Sequence, residues 1–177
     1  MIKQTQLLTG WVVVLLLAMA GRLFGATATE GTATLEFTTV NPHGKYSPKN
    51  VLAVWVTDAN TNFVKTITRF GGKRQKYLGA WNQARAGLAA VDGSTGATLS
   101  SHGTRTATWD GCDGKQQSMP DGKYRFVVEF TDHNGGGPLA VFPFEKGMAT
   151  PKQVFPDQKN FTKIQVTFVP GRKAPTK

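Results

Sequence analysis

From residue 32 onward the chain is cut into short runs rich in apolar and β-branched residues, separated by Gly, Pro, Asn and Asp. That punctuation leaves little room for anything but strands and turns. Residues 32–40 alternate, with Ala33, Leu35 and Phe37 on one face and Thr34, Glu36 and Thr38 on the other, the period of a half-buried strand. Residues 51–58 are more continuously apolar and suit a central strand. Asp58-Ala59-Asn60-Thr61-Asn62 is a tight turn into 63–70, predicting a hairpin. Further strands are expected at 104–109, 123–131, 139–144 and 161–169. Seven short strands predict an all-β fold, an immunoglobulin-like β-sandwich. One insertion departs from this rhythm. Residues 76–90 lack Pro and set Leu78, Trp81, Arg85 and Leu88 at helical spacing, predicting a short amphipathic helix over one end of the sandwich.

The first 28 residues have the pattern of an export signal, with Lys3, an apolar core through 11–20 and small residues at Ala26 and Ala28. Ala18-Met19-Ala20 is an earlier cleavage candidate. The apolar run is short for a membrane span, and the expected product is periplasmic, with an uncleaved N-terminal anchor as the alternative. Residues 29–170 are one domain's worth of chain, and 171–177 form a basic tail. Beyond residue 28 the sequence holds 19 basic and 11 acidic residues. Such a balance attracts acidic partners, and export argues against nucleic acid among them.

Cys112 is the only cysteine. It can form no internal disulfide, no dithiol redox pair and no haem attachment site, so any electron chemistry must come from a bound cofactor. His43 and His133 lie in separate turns and make a poor metal site. The glycines of 135–137 lack the strand-to-helix setting of a phosphate loop. No Ser-His-Asp arrangement or nucleophile elbow is present, and no small-molecule substrate is expected.

The stretch that carries chemistry is Asp92-Gly93-Ser94-Thr95-Gly96-Ala97-Thr98. It has the form D-x-x-S/T-G-A-T, which a chain of this length matches by chance about once in a thousand. Gly96 and Ala97 keep the backbone slim beside a hydroxyl, and Asp92 can order the turn. As bare composition this is also ordinary turn material. The pattern resembles the acceptor sequence that bacterial periplasmic flavin transferases modify, found in flavin-carrying subunits of sodium-pumping quinone reductases. That resemblance implies FMN held covalently by Thr98 through a phosphoester. Asp92, Ser94, Thr95, Gly96 and Ala97 would then form the recognised segment. Ser94, Ser100, Arg105 and Lys73-Arg74 are candidate donors to the phosphate. Trp81, with Tyr77 behind it, is a candidate platform for the flavin ring or else the helix's core anchor. His102 is a candidate contact or an exposed loop residue.

Two more signatures bear on the scaffold. Trp109-Asp110-Gly111 closes a strand, and Pro120-Asp121-Gly122-Lys123-Tyr124 opens the next in the manner of a tyrosine corner. Together they resemble the immunoglobulin-like domain of the flagellar hook-capping protein. The longer order from Asn50 to Glu129 resembles an uncharacterised family of bacterial periplasmic proteins. Its members look like partners of flavin transferases and of membrane electron-transfer proteins. The expectation is therefore a periplasmic electron carrier rather than a stand-alone enzyme. The alternative is a non-redox immunoglobulin-like module that binds or scaffolds envelope proteins.

Overall fold

Strict alternation becomes geometry in β1 (Gly31–Thr39), whose residues are alternately buried and half-exposed along its whole length. The computed structural model describes residues 27–88, 92–148 and 150–171. The expected export signal and basic tail therefore lie, apart from Thr27, Ala28 and Gly171, outside the described residues. Strand β1 sits inside a four-stranded sheet of order β5-β1-β9-β8. It pairs with β5 (Thr104–Trp109) and β9 (Phe161–Pro170), and β8 (Thr150–Phe155) pairs with β9. The facing sheet has order β4-β3-β2-β6-β7. It contains β2 (Val51–Asp58), β3 (Phe63–Phe70), β4 (Ser94–Gly96), β6 (Gly122–Thr131) and β7 (Leu139–Lys146). The fold is an all-β sandwich with one short inserted helix.

All seven expected strands form, and two more join them. Strand β8 carries Pro151 and Lys152 and occupies a sheet edge, where a missing amide costs nothing to the ladder. Strand β4 is three residues long and lies within the 92–98 segment, which the sequence marks as a loop. Every strand pair is antiparallel except β3–β4, which is parallel.

Between the sheets the core is aromatic. Phe37, Trp109, Phe126, Phe130, Phe142, Phe161 and Phe168 are buried there with Leu35. The Tyr124 hydroxyl donates to the Pro120 carbonyl at 2.6 Å, closing the tyrosine corner, and burial pushes it up to about 12. The Trp109 indole donates to the Cys112 carbonyl at 2.7 Å, and Cys112 is itself buried.

A second apolar cluster lies on the outer face of the five-stranded sheet. Strand β2 is buried on both faces, so Val51, Ala53 and Trp55 must be covered from outside. The cover is a 3-10 turn (Lys73–Tyr77) followed by α1 (Gly79–Ala84), which lays Leu78 and Trp81 on them. The helix is thus shorter than expected and lies over a sheet face, not over an end of the sandwich. Leu88 takes no part and is 45% exposed. Glu129 of β6 accepts from the amides of Ala80 at 3.2 Å and Trp81 at 2.9 Å, satisfying donors at the start of α1 that have no partner in the helix. Burial pushes the Glu129 carboxyl up, against the pull of these amides.

The strand ends sort the connections between two poles. Segments 40–50, 97–103, 132–138 and 156–160 gather at one pole, where Thr39 donates to Gly103 and Val40 to Asn160. Segments 59–62 and 110–121 and residues 27–30 lie at the other. There the Lys146 ammonium, with no exposed side-chain surface, donates to the Thr29 carbonyl at 2.6 Å and to Asp121 at 3.0 Å. Asp121 also accepts from the Thr29 hydroxyl and amide at 2.6 and 2.8 Å. The Thr29 hydroxyl, then Lys146 and the Thr29 amide, hold the Asp121 carboxyl well below its ordinary value of 3.8.

A carboxyl lowered on folding stabilises the fold above its unfolded value and loses that contribution as pH falls. Asp121→Asn, which leaves the Lys146 charge buried without its counter-charge, is expected to cost about 2–3 kcal/mol at neutral pH. The difference in melting temperature from wild type should narrow progressively below about pH 4. Thermal melts from pH 7 down to pH 3 check both statements.

Candidate functional site

The acceptor-like segment is placed by Thr66. This β3 residue is fully buried and joins two elements. Its hydroxyl accepts from the Trp81 indole at 3.1 Å, and its amide donates to the Asp92 carboxylate at 3.0 Å. Strand β3 is irregular here, since Val54 faces Thr68 while Trp55 faces Thr66. Asp92 thus orders the segment by a bond across to β3 and not by a bond within its own turn. Gly93 follows so close to β3 that an added Cβ would lie 2.1 Å from the Thr66 carbonyl oxygen. The chain then runs as β4 alongside β3, with Ser94, Thr95 and Gly96 opposite Thr68, Arg69 and Phe70. A Cβ on Gly96 would come within 2.6 Å of the Phe70 ring.

Two clamps bracket what comes next. The Gly96 carbonyl accepts from the Gly71 amide at 2.9 Å. Leu99 exchanges both backbone hydrogen bonds with Asn50, at 2.9 and 3.0 Å. Ala97 and Thr98 are the two residues between these clamps, and both side chains are exposed. Ser94, Thr95 and Ser100 are exposed beside them.

Beyond Leu99 the loop is braced from two sides. The Asn50 side-chain amide donates to Ser101 at 3.3 Å and to Pro48 at 3.1 Å. Arg105 donates to Ser101 at 2.8 Å and to Thr104 at 2.9 Å. Arg105 therefore spends its guanidinium on loop carbonyls. Asn50, 2% exposed, is the site residue that sequence reasoning used only as part of a pattern. A polar residue directly before a buried strand was its signal.

The other expected contacts separate. Trp81 has no exposed surface and fills the core-anchor role, so it offers no face to a ligand. His102 shares the pole with Thr98, but its ring packs edge-on against Phe130 at 5.3 Å. Its two ring nitrogens are buried without hydrogen-bond partners among the described residues. Burial pushes its pKa down, which leaves a neutral ring ill suited to hold a phosphate. His43 and His133 lie at the same pole. Among the described residues no group of three His, Cys, Asp or Glu is arranged to hold a metal ion. Thr98 lines neither of two surface clefts, one of about 530 Å³ that includes Asp92, Asp113 and Leu88, the other of about 350 Å³ beside Arg125 and Glu145.

Residues 32–160 match the family described as "Predicted periplasmic protein (DUF2271)". The chain belongs to DUF2271. The match takes in the 92–98 segment and every strand before β9. The family's description agrees with the periplasmic expectation. No helix among the described residues is long and apolar enough to cross a membrane. No curated protein and no solved structure matches this DUF2271 chain.

The two glycines make unequal predictions. Gly93→Ala drives a methyl into a backbone carbonyl and is expected to cost about 2–3 kcal/mol, whereas Gly96→Ala meets a ring that can tilt and should cost about 1 kcal/mol. Urea unfolding of the two variants beside wild type checks the order.

Proposed function

We propose that this protein is a periplasmic electron carrier in which Thr98 bears FMN as a phosphoester. The observation that carries the reading is the placement of Thr98: an exposed threonine on a two-residue link with both ends pinned. None of the hydrogen bonds among the described residues uses that hydroxyl, whereas Asp92, Gly93 and Gly96 are accounted for by their contacts with Thr66 and Phe70. The small exposed neighbours Ala97, Thr95 and Ser94 suit passage of the segment into a foreign active site.

In the transfer, the Thr98 oxygen forms a bond to the FMN phosphorus of flavin adenine dinucleotide. The pyrophosphate bond breaks, AMP leaves, and the hydroxyl proton passes to a base of the transferase. Once bound, the group supplies one- or two-electron transfer, and the chain supplies attachment and surroundings. The excess of basic residues favours docking to acidic partners, an attraction that salt weakens. A membrane electron-transfer protein is the expected partner. A second reading, a non-redox binding module of the envelope, draws on Leu139 and Val141, which are 50% and 44% exposed on edge strand β7.

Co-expression with a periplasmic flavin transferase, beside an acceptor that labels, separates the two readings. Wild type should show flavin fluorescence that survives denaturation and the mass of one added FMN. Thr98→Ala should show neither. An unlabelled wild type leaves the binding module as the better account. Asp92→Asn keeps an oxygen acceptor for the Thr66 amide, so it should stay folded. Its labelling should fall at least tenfold if the transferase reads the charge, and should match wild type if Asp92 serves the fold alone.

A further inference from the structure

Two stretches of backbone flank Thr98, and a stack of side chains joins them. On one side, Gly71 bonds to Gly96, and three residues later Arg74 projects from the 3-10 turn. On the other, Asn50 pairs with Leu99, and four residues earlier stands Tyr46. The Arg74 guanidinium lies over the Tyr46 ring at 3.8 Å and within 5.6 Å of the Tyr77 ring. Three or four residues of extended chain span at most about 14 Å, so the stack and Thr98 share one pole of the sandwich. Tyr46 is firmly set. Its amide donates to Asp132 at 2.8 Å, its carbonyl accepts from Lys49 at 2.9 Å, and its hydroxyl accepts from Asn134 at 3.1 Å.

We infer that Tyr46, Arg74 and Tyr77 are the seat for the ring system of the flavin borne by Thr98. The inference rests on the carrier reading above and assigns to that site the platform Trp81 is too buried to provide. A guanidinium stacked on a ring keeps its N–H edge available for in-plane acceptors. One of those nitrogens, Arg74 Nη2, is buried with no hydrogen-bond partner among the described residues. The flavin ring matches this arrangement: a flat face for the tyrosines and carbonyl acceptors at its pyrimidine end for Arg74. With the flavin bound there, two-electron reduction with one proton taken from solvent would leave a negative charge at that end, which the Arg74 cation would offset. The electrons come from the membrane partner.

The test uses the exported protein, with labelling at Thr98 established first by intact mass. In labelled Tyr46→Leu and Tyr77→Leu, flavin emission should rise severalfold, because a tyrosine in contact quenches it. Arg74→Gln should disfavour the reduced form about tenfold, lowering the midpoint potential by about 30 mV. Arg74→Lys should restore much of the potential. Emission and potential that match wild type in all these fully labelled variants, each melting normally, overturn the seat while leaving attachment intact. An unlabelled wild type refutes attachment instead. The seat is then read by titrating the unlabelled protein with free FMN. Quenching that Tyr46→Leu abolishes upholds a non-covalent seat, and no quenching overturns it.

Discussion

Strand β2 is apolar on both faces, and the rest of the molecule answers to that. In an antiparallel sandwich one sheet face meets the core and the other ordinarily meets water. Here Leu52, Val54 and Val56 face the core while Val51, Ala53 and Trp55 face outward, and all six are buried. An uncovered outward stripe of this kind would cost several kcal/mol in exposed apolar surface. The segment after β3 removes it by folding back across the sheet. Having done so, the chain must return to the β3 edge before crossing to the other sheet. That return is the 92–98 segment. The position of Thr98 follows from how β2 is covered.

Seen this way, the acceptor-like sequence divides into residues the fold uses and residues it does not. Asp92 serves the Thr66 amide, Gly93 clears the Thr66 carbonyl, and Gly96 clears the Phe70 ring. A turn of this shape would call for those three whatever the protein did. Thr98 sits between two backbone clamps with its side chain outward, and no packing constraint explains a threonine there. Thr98 is a motif position that the fold leaves undetermined.

Strand existence was legible wherever alternation or continuous apolar sequence marked it, as in β1 and β2, because period two is set by side-chain direction alone. Tyr124 and Pro120 likewise announced their hydrogen bond. The helix was legible in kind but not in placement. Its apolar spacing gives a face to bury, while the surface that receives it depends on β2 and Val127, distant in sequence. Strand β4 was hidden because three small residues carry no pattern, and β8 because its Pro and Lys belong equally to loops. Trp81 was open between a ring platform and the helix's core anchor, and Arg105 was a candidate phosphate donor, both from proximity in sequence. The chain turns one into the core and spends the other on carbonyls. Tyr46 and Arg74 could not be paired in advance, since only the tertiary fold brings residues 28 apart onto one another.

The latch formed by Asp121, Lys146 and Thr29 gives the molecule a polarity. It fixes the point where the chain enters the sandwich at the pole opposite Thr98. Nine residues of β1 separate the poles, a span of about 30 Å at the rise of an extended strand. Thr27 lies on the far side, so a tether attached there would hold Thr98 outward by the full length of the domain. Under the proposed carrier reading, the sandwich would serve as a rigid spacer between such a tether and Thr98.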